Sequence, residues 1–176
     1  GVGKSRLLYE FDNWAELRPE RFTFFKGRAL REMQGTPYGL IRSLLAFRFQ
    51  IEDTDSVGAV REKLERGVLA ALGESAEIER YAHVIGHLVG FELGESRHLA
   101  GLVDDPKRVH ETGLMALREY FEALAAQHPV LMLLEDLHWA DDSSLDALNH
   151  LALALARKAA MIASAARPVV YERRPD

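Results

Sequence analysis

An α/β fold built on a parallel sheet follows from three features of the 176-residue sequence. The chain opens on Gly1-Val2-Gly3-Lys4-Ser5, a glycine-rich segment that leads directly into an amphipathic helical pattern. A continuous apolar run, Val130-Leu131-Met132-Leu133-Leu134, is short enough to be a strand buried on both faces, and it ends in the adjacent carboxylates Glu135 and Asp136. A further short apolar run, Ala160-Met161-Ile162-Ala163, follows after one intervening helix and ends at Arg167-Pro168.

Periodicity orders the remaining elements. Leu7, Leu8, Phe11, Trp14 and Ala15 recur at helical spacing, and Arg18-Pro19 closes that helix. Phe22-Thr23-Phe24-Phe25 reads as a short strand leading into Gly27 and Arg28. Beyond the turn at Gly35-Thr36-Pro37 the pattern is helical. One stripe is Leu40, Ile41, Leu44 and Leu45; the next is Val57, Val60, Leu64, Val68 and Leu72; the third is Ile78, Tyr81, Ala82, Ile85, Leu88 and Val89. These stripes read as core. The polar, glycine-containing stretch 90–105 with Pro106 is a connection, and Leu114, Leu117, Phe121 and Leu124 mark another helix before Pro129. After Asp136, either Asp142 or Ser143 is expected to cap a helix, with Asp146 completing a capping box and Leu145, Leu148, Leu151 and Leu155 on one face.

Composition sets the bounds. With 48% hydrophobic and 28% charged residues, the chain suits one globular domain rather than a disordered segment. A net charge of −5 argues against a nucleic-acid-coating surface and gives no polybasic membrane anchor, and the apolar runs are too short to span a bilayer. The absence of cysteine excludes disulfide scaffolds and thiolate metal sites and is compatible with the expected cytoplasmic location.

Gly3-Lys4-Ser5 is the end of the pattern G-x-x-x-x-G-K-[ST], so the first glycine of that pattern falls upstream of Gly1. Glycines let backbone N–H groups approach phosphate oxygens, the following helix directs its positive end at the same anion, and a lysine supplies a mobile cation for β- and γ-phosphates. Ser5 is then the expected Mg²⁺ ligand and a nucleoside triphosphate the expected partner. Glu135 and Asp136 stand at the carboxyl end of a buried strand, where open α/β sheets place ligands, and a divalent cation is a physical reason for two adjacent carboxylates there. Helix capping does not account for this pair. Arg167 is either a surface arginine or one that reaches a γ-phosphate from the next strand end.

The half-loop Gly-Val-Gly-Lys-Ser-Arg-Leu, the segment Leu-Leu-Glu-Asp-Leu-His-Trp-Ala-Asp-Asp-Ser-Ser-Leu and the late Ala-Arg-Pro together resemble the ATPase domain of signal-transduction ATPases with numerous domains (STAND), within the AAA+-like P-loop class. Similar modules accompany bacterial class III adenylate or guanylate cyclase domains and large helix-turn-helix transcriptional regulators. The resemblance implies a P-loop NTPase three-layer sandwich with a large helical insertion between its second and third strands, and a first strand that is missing here. It divides the chain into the phosphate loop, helix and second strand (1–38), the insertion (39–127), and the Walker B strand through a sensor-like strand (128–176). It further implies that Gly1, Val2, Gly3, Lys4, Ser5 and Arg6 surround the phosphates of ATP, and that Ser5 and Glu135 hold Mg²⁺. Asp136 would orient the attacking water and Arg167 would serve as the sensor arginine. The family usually has Asp where Glu135 stands, which leaves the division of labour between the two carboxylates open.

The implied activity is slow ATP hydrolysis in a regulatory domain whose partners are neighbouring output or sensor domains of the same parent chain, whether cyclase, helix-turn-helix or helical repeats. The segment by itself is expected to be inactive. A non-catalytic nucleotide-sensing or protein-interaction module is the alternative. A metabolite or nucleotide kinase would call for an arginine-rich lid, which is not recognisable. His83 and His87 lie at i and i+4 but lack the Glu of H-E-x-x-H and a third ligand, so they read as ordinary helix histidines. Thr36-Pro37-Tyr38 reads as a turn, and Arg173-Arg174 is too short for a nucleic-acid patch.

Overall fold

Apolar side chains leaving the strands on both faces place a hydrophobic layer on each side of one sheet. The computed structural model describes residues 3–73 and 77–173, with Tyr171 described by its backbone only. The elements run α1 (Lys4–Glu16), β1 (Thr23–Arg28), α2 (Gly39–Phe49), α3 (Val57–Leu72), α4 (Ile78–Leu88), α5 (Pro106–Gln127), β2 (Val130–Glu135), α6 (Asp142–Leu155), β3 (Ala160–Ser164) and α7 (Val169–Arg173). Short 3₁₀ turns occupy Arg31–Met33 and Leu137–Trp139. Among the described residues no helix is long and apolar enough to cross a membrane.

The sheet order is β1-β2-β3, and both pairings are parallel. Val130 lies opposite Thr23 on one side and Ala160 on the other, while Arg28 lies opposite Glu135. As the middle strand, β2 is buried from Val130 through Leu134, which is why its sequence is continuously apolar rather than alternating. Parallel neighbours require crossovers, supplied by α2–α5 between β1 and β2 and by α6 between β2 and β3.

Side chains leave the strands on alternate faces. Phe25, Met132 and Leu134 enter the larger core with the stripes of α2 to α6, whereas Leu131 and Leu133 meet Ala15, Leu8 and Phe11 of α1. Helices therefore cover both faces. Phe25 anchors the larger side, with its ring 4.7 Å from Phe121 and edge-on to Tyr120 at 6.4 Å. Gly27 lets β1 and α2 approach closely: a Cβ there would lie 2.8 Å from Leu44 Cδ2 and 3.1 Å from Leu40 Cδ1.

The helical stripes are buried largely as the periodicity requires, including Leu40, Ile41, Leu44, Leu45, Leu64, Val68, Ile85, Leu117 and Phe121. Three details differ. Val57, the first residue of α3, is exposed, because the buried face begins one turn later at Val60. Strand β1 extends through Gly27 and Arg28 rather than ending before them. The cap of α6 is Asp141, not Asp142 or Ser143. Asp141 has the extended backbone of an N-cap and its carboxylate accepts the Ser144 N–H at 2.8 Å, while Asp142 and Ser143 are already helical.

Asp141 reaches further than its own helix. The same carboxylate accepts the Tyr38 N–H at 2.8 Å, the Gly39 N–H at 3.0 Å and the Ser144 hydroxyl at 2.5 Å, all in buried surroundings. Two helix starts thus share one anion. Asp141→Ala would orphan buried donors at both helices, and urea unfolding should show a loss of about 3 kcal/mol or more. Asp141→Asn, which keeps one carbonyl oxygen, should recover part of it. An alanine variant as stable as the parent would show that the two helices do not depend on this carboxylate.

Candidate functional site

Strand order brings three separate segments to the carboxyl edge of the sheet. Gly3 takes φ 110°, a conformation that favours glycine, and its carbonyl accepts the Leu7 N–H at 2.8 Å, so that helical geometry starts at Lys4. Gly3 has no side chain with which to cap this helix, whereas Ser56, Asp105 and Asp141 cap α3, α5 and α6. The first-turn donors of α1 therefore lack the side-chain acceptor that those helices have.

At the end of β2, the Glu135 carbonyl accepts the Ala29 N–H at 3.0 Å. Asp136 then turns left-handed, at φ 52° and ψ 36°, and its carbonyl accepts the Trp139 N–H at 2.8 Å. The end of β3 is bound to the same place: Ala165 N–H donates to Leu134 O at 2.8 Å, and Leu137 N–H donates to Ala165 O at 3.1 Å. These bonds set the loops after β2 and β3 side by side.

Between them and the start of α1 lies a cleft of about 580 Å³, lined by Lys4, Ser5, Asp136, His138, Ala165, Ala166, Arg167 and Pro168. Four of the residues singled out by sequence, Lys4, Ser5, Asp136 and Arg167, meet there. Glu135 does not. It follows Leu131 and Leu133 on the α1 face of the sheet and lines a neighbouring cleft with Leu8, Asp12, Lys26 and Arg28. Strand alternation and the left-handed turn at Asp136 direct the adjacent carboxylates into different clefts. Arg6 is exposed, lies 3.6 Å from Glu10 and is not among the residues lining the cleft. Gly1, Val2 and Arg174 lie outside the described residues.

Two residues of this region carried no assigned role in the sequence. Arg28, at the end of β1, places both Nε and a terminal nitrogen 2.9 Å from Asp136 Oδ2. The pair is well exposed, so its contribution to stability is at most about 1 kcal/mol. It nevertheless gives Asp136 a cationic partner already. Its signal in the sequence is an arginine at a strand end, whose partner depends on strand register. His138 is 5% exposed, and among the described residues neither ring nitrogen has a hydrogen-bond partner. Burial lowers its pKa, the charges of Arg167 and Lys4 lower it further, and Asp136 opposes them. Its signal in the sequence is a histidine two residues after the carboxylate pair.

The remaining candidates are structural. His83 is buried between Ser96 Oγ at 2.5 Å and Glu65 Oε1 at 2.7 Å, and no group of three or more metal-binding side chains occurs among the described residues. Tyr38 pairs its hydroxyl with His110 Nδ1 at 2.5 Å. Arg173 pairs with Asp142 at 2.5 Å.

Chemically, the cleft offers an uncapped helix start, two cationic side chains, an imidazole, a hydroxyl and a carboxylate. That donor set fits polyphosphate oxygens together with an oxygen-seeking divalent ion such as Mg²⁺, which takes few protein ligands and completes its shell with phosphate and water.

The model of the AAA ATPase domain family matches residues 1–163. An uncharacterized protein of Rhizobium meliloti (strain 1021) is 27% identical over 168 residues, which cover 96% of this chain and 15% of that protein. The chain thus spans a small part of the relative's length. No solved structure matches. Sequence match, parallel α/β sheet and cleft agree with a nucleotide-binding ATPase domain, and the chain belongs to the AAA ATPase domain family.

Proposed function

We infer that this chain is the ATP-binding and slowly hydrolysing regulatory domain of a STAND-type signal-transduction ATPase. The observation that carries the reading is the convergence of Lys4, Ser5, Asp136 and Arg167, from three distant parts of the sequence, on one cleft at the carboxyl edge of the sheet. Bound Mg-ATP supplies the reactive phosphoanhydride and the metal that neutralises its charge. Lys4 and the N–H groups at the start of α1 would hold the β- and γ-phosphates, and Ser5 would offer its hydroxyl to the metal. Asp136, the carboxylate facing the cleft, would orient the attacking water. Glu135 supports the same edge from the neighbouring cleft. Arg167 stabilises charge developing on the γ-phosphoryl group. Output or sensor domains of the same parent chain, of cyclase, helix-turn-helix or helical-repeat type, would read the nucleotide state through the helices between β1 and β2.

Lys4→Ala in the full-length protein should weaken Mg-ATP binding at least about tenfold, because among the described residues Lys4 is the cation of α1 that lines the cleft, Arg6 lying outside it. Calorimetry showing equal affinity for variant and parent would remove the phosphate-loop assignment.

Asp136→Asn should lower ATP turnover by about a hundredfold while retaining binding, and Glu135→Gln should have the smaller effect, since only Asp136 lines the cleft. Phosphate release measured for both variants tests the order. Retained binding and turnover in the double variant would reject both carboxylates.

A second reading, nucleotide sensing without hydrolysis, is favoured by the Arg28 guanidinium on Asp136. Single-turnover kinetics of Arg28→Ala separates the two. A faster rate identifies an ATPase restrained by Arg28, whereas no turnover in either parent or variant identifies a sensor.

A further inference from the structure

Two histidines are buried among the described residues, and they differ in one respect. His83 gives each ring nitrogen a partner, Ser96 on one side and Glu65 on the other. His138 gives neither nitrogen one. A buried polar group without a hydrogen bond costs folding free energy, and an apolar ring of similar size would avoid that cost. Here the unmet hydrogen-bonding capacity is placed at the wall of the cleft shared with Lys4, Ser5, Asp136 and Arg167.

The backbone holds the imidazole in place. His138 is central in the 3₁₀ turn Leu137–Trp139, which is closed by the Trp139 N–H to Asp136 O bond and attached to the end of β3 by Leu137 N–H to Ala165 O. Its ring lies 4.9 Å from that of Trp139. The imidazole thus belongs to the wall formed by the loops after β2 and β3, with Asp136 and Arg167, rather than to the start of α1. A neutral imidazole carries one N–H donor and one lone pair, so it can donate to an anionic oxygen and accept from water. The cations Lys4 and Arg167, which line the same cleft, are the groups that would draw an anion into it.

We propose that His138 contacts the terminal phosphoryl group of a bound nucleoside triphosphate and so distinguishes the triphosphate from the diphosphate. This rests on the ATP reading given above. The contact also has a structural route outward. The turn that carries His138 continues through Ala140 to Asp141, whose carboxylate holds the starts of both α2 and α6. A hydrogen bond formed only with the triphosphate would act on a turn joined directly to that junction.

The test compares Mg-AMPPNP with Mg-ADP by calorimetry in the full-length protein for the parent, His138→Phe, His138→Asn and Lys4→Ala. His138→Phe should raise the Kd for the triphosphate about tenfold and leave that for ADP within about twofold, because a single hydrogen bond to a charged oxygen is lost. His138→Asn, which retains an N–H, should recover part of the difference. Without nucleotide, His138→Phe should unfold at or above the parent's temperature, since it removes two unpartnered polar atoms. An unchanged triphosphate-to-diphosphate ratio in both His138 variants, with Lys4→Ala still weakening binding, overturns the role of His138 and leaves the ATP reading intact. Equal loss of both affinities with a lower Tm marks a structural residue and also overturns it. Absence of nucleotide binding in the parent overturns both readings.

Discussion

The carboxylate of Asp141 is the constraint on which the arrangement of the site depends. It is 4% exposed and accepts hydrogen bonds from Tyr38 N–H, Gly39 N–H, Ser144 N–H and the Ser144 hydroxyl. A buried anion is costly unless several donors surround it, and here the donors come from the starts of two helices whose dipoles both favour negative charge. Ser144 extends the junction by accepting the Leu40 N–H through its hydroxyl oxygen at 3.2 Å. The carboxylate thereby fixes the exit from β1 against the exit from β2. Without it the segment 136–141 would lose its tie to the starts of α2 and α6 and keep only its bonds to the end of β3 and within the 3₁₀ turn.

Once that path is fixed, the sheet does the rest. β2 is the middle strand, so its carboxyl end is bonded to the segments leaving both neighbours, through Ala29 on one side and Ala165 on the other. Charges from strands far apart in sequence then become neighbours. Arg28 and Asp136 are separated by 108 positions yet share hydrogen bonds. This carboxylate is held against a guanidinium at the carboxyl ends of β1 and β2. The pair joins the wall of the cleft to the end of β1, which leads into the Arg31–Met33 turn and then α2.

The two buried histidines show how alike residues acquire different meanings. In His83 the imidazole is a cross-link between α3, α4 and the connection after α4, with its ring also edge-on to His98 at 5.2 Å. In His138 the same burial comes without partners, at a wall of charged groups. Residue type and burial are common to both; the hydrogen-bond environment separates structural packing from readiness to contact a ligand.

By itself the sequence determined what is local. The glycine-lysine-serine start of α1, the helical stripes, the uniformly apolar β2 and the placement of Lys4, Ser5, Asp136 and Arg167 at element ends were legible, because each depends on spacing within a few residues or on one helix turn. Tertiary structure decided which side chains share a cleft. Glu135 and Asp136 are adjacent in the chain but face different clefts, because alternation along β2 and the left-handed backbone at Asp136 set their directions. Arg28 found Asp136 through strand register, and Asp141 gained the role of joining two helices through a contact spanning 103 positions. Periodicity reports which face of its own element a residue occupies; it carries no information about which distant element is brought against that face, and the chemistry of this site is made of such contacts.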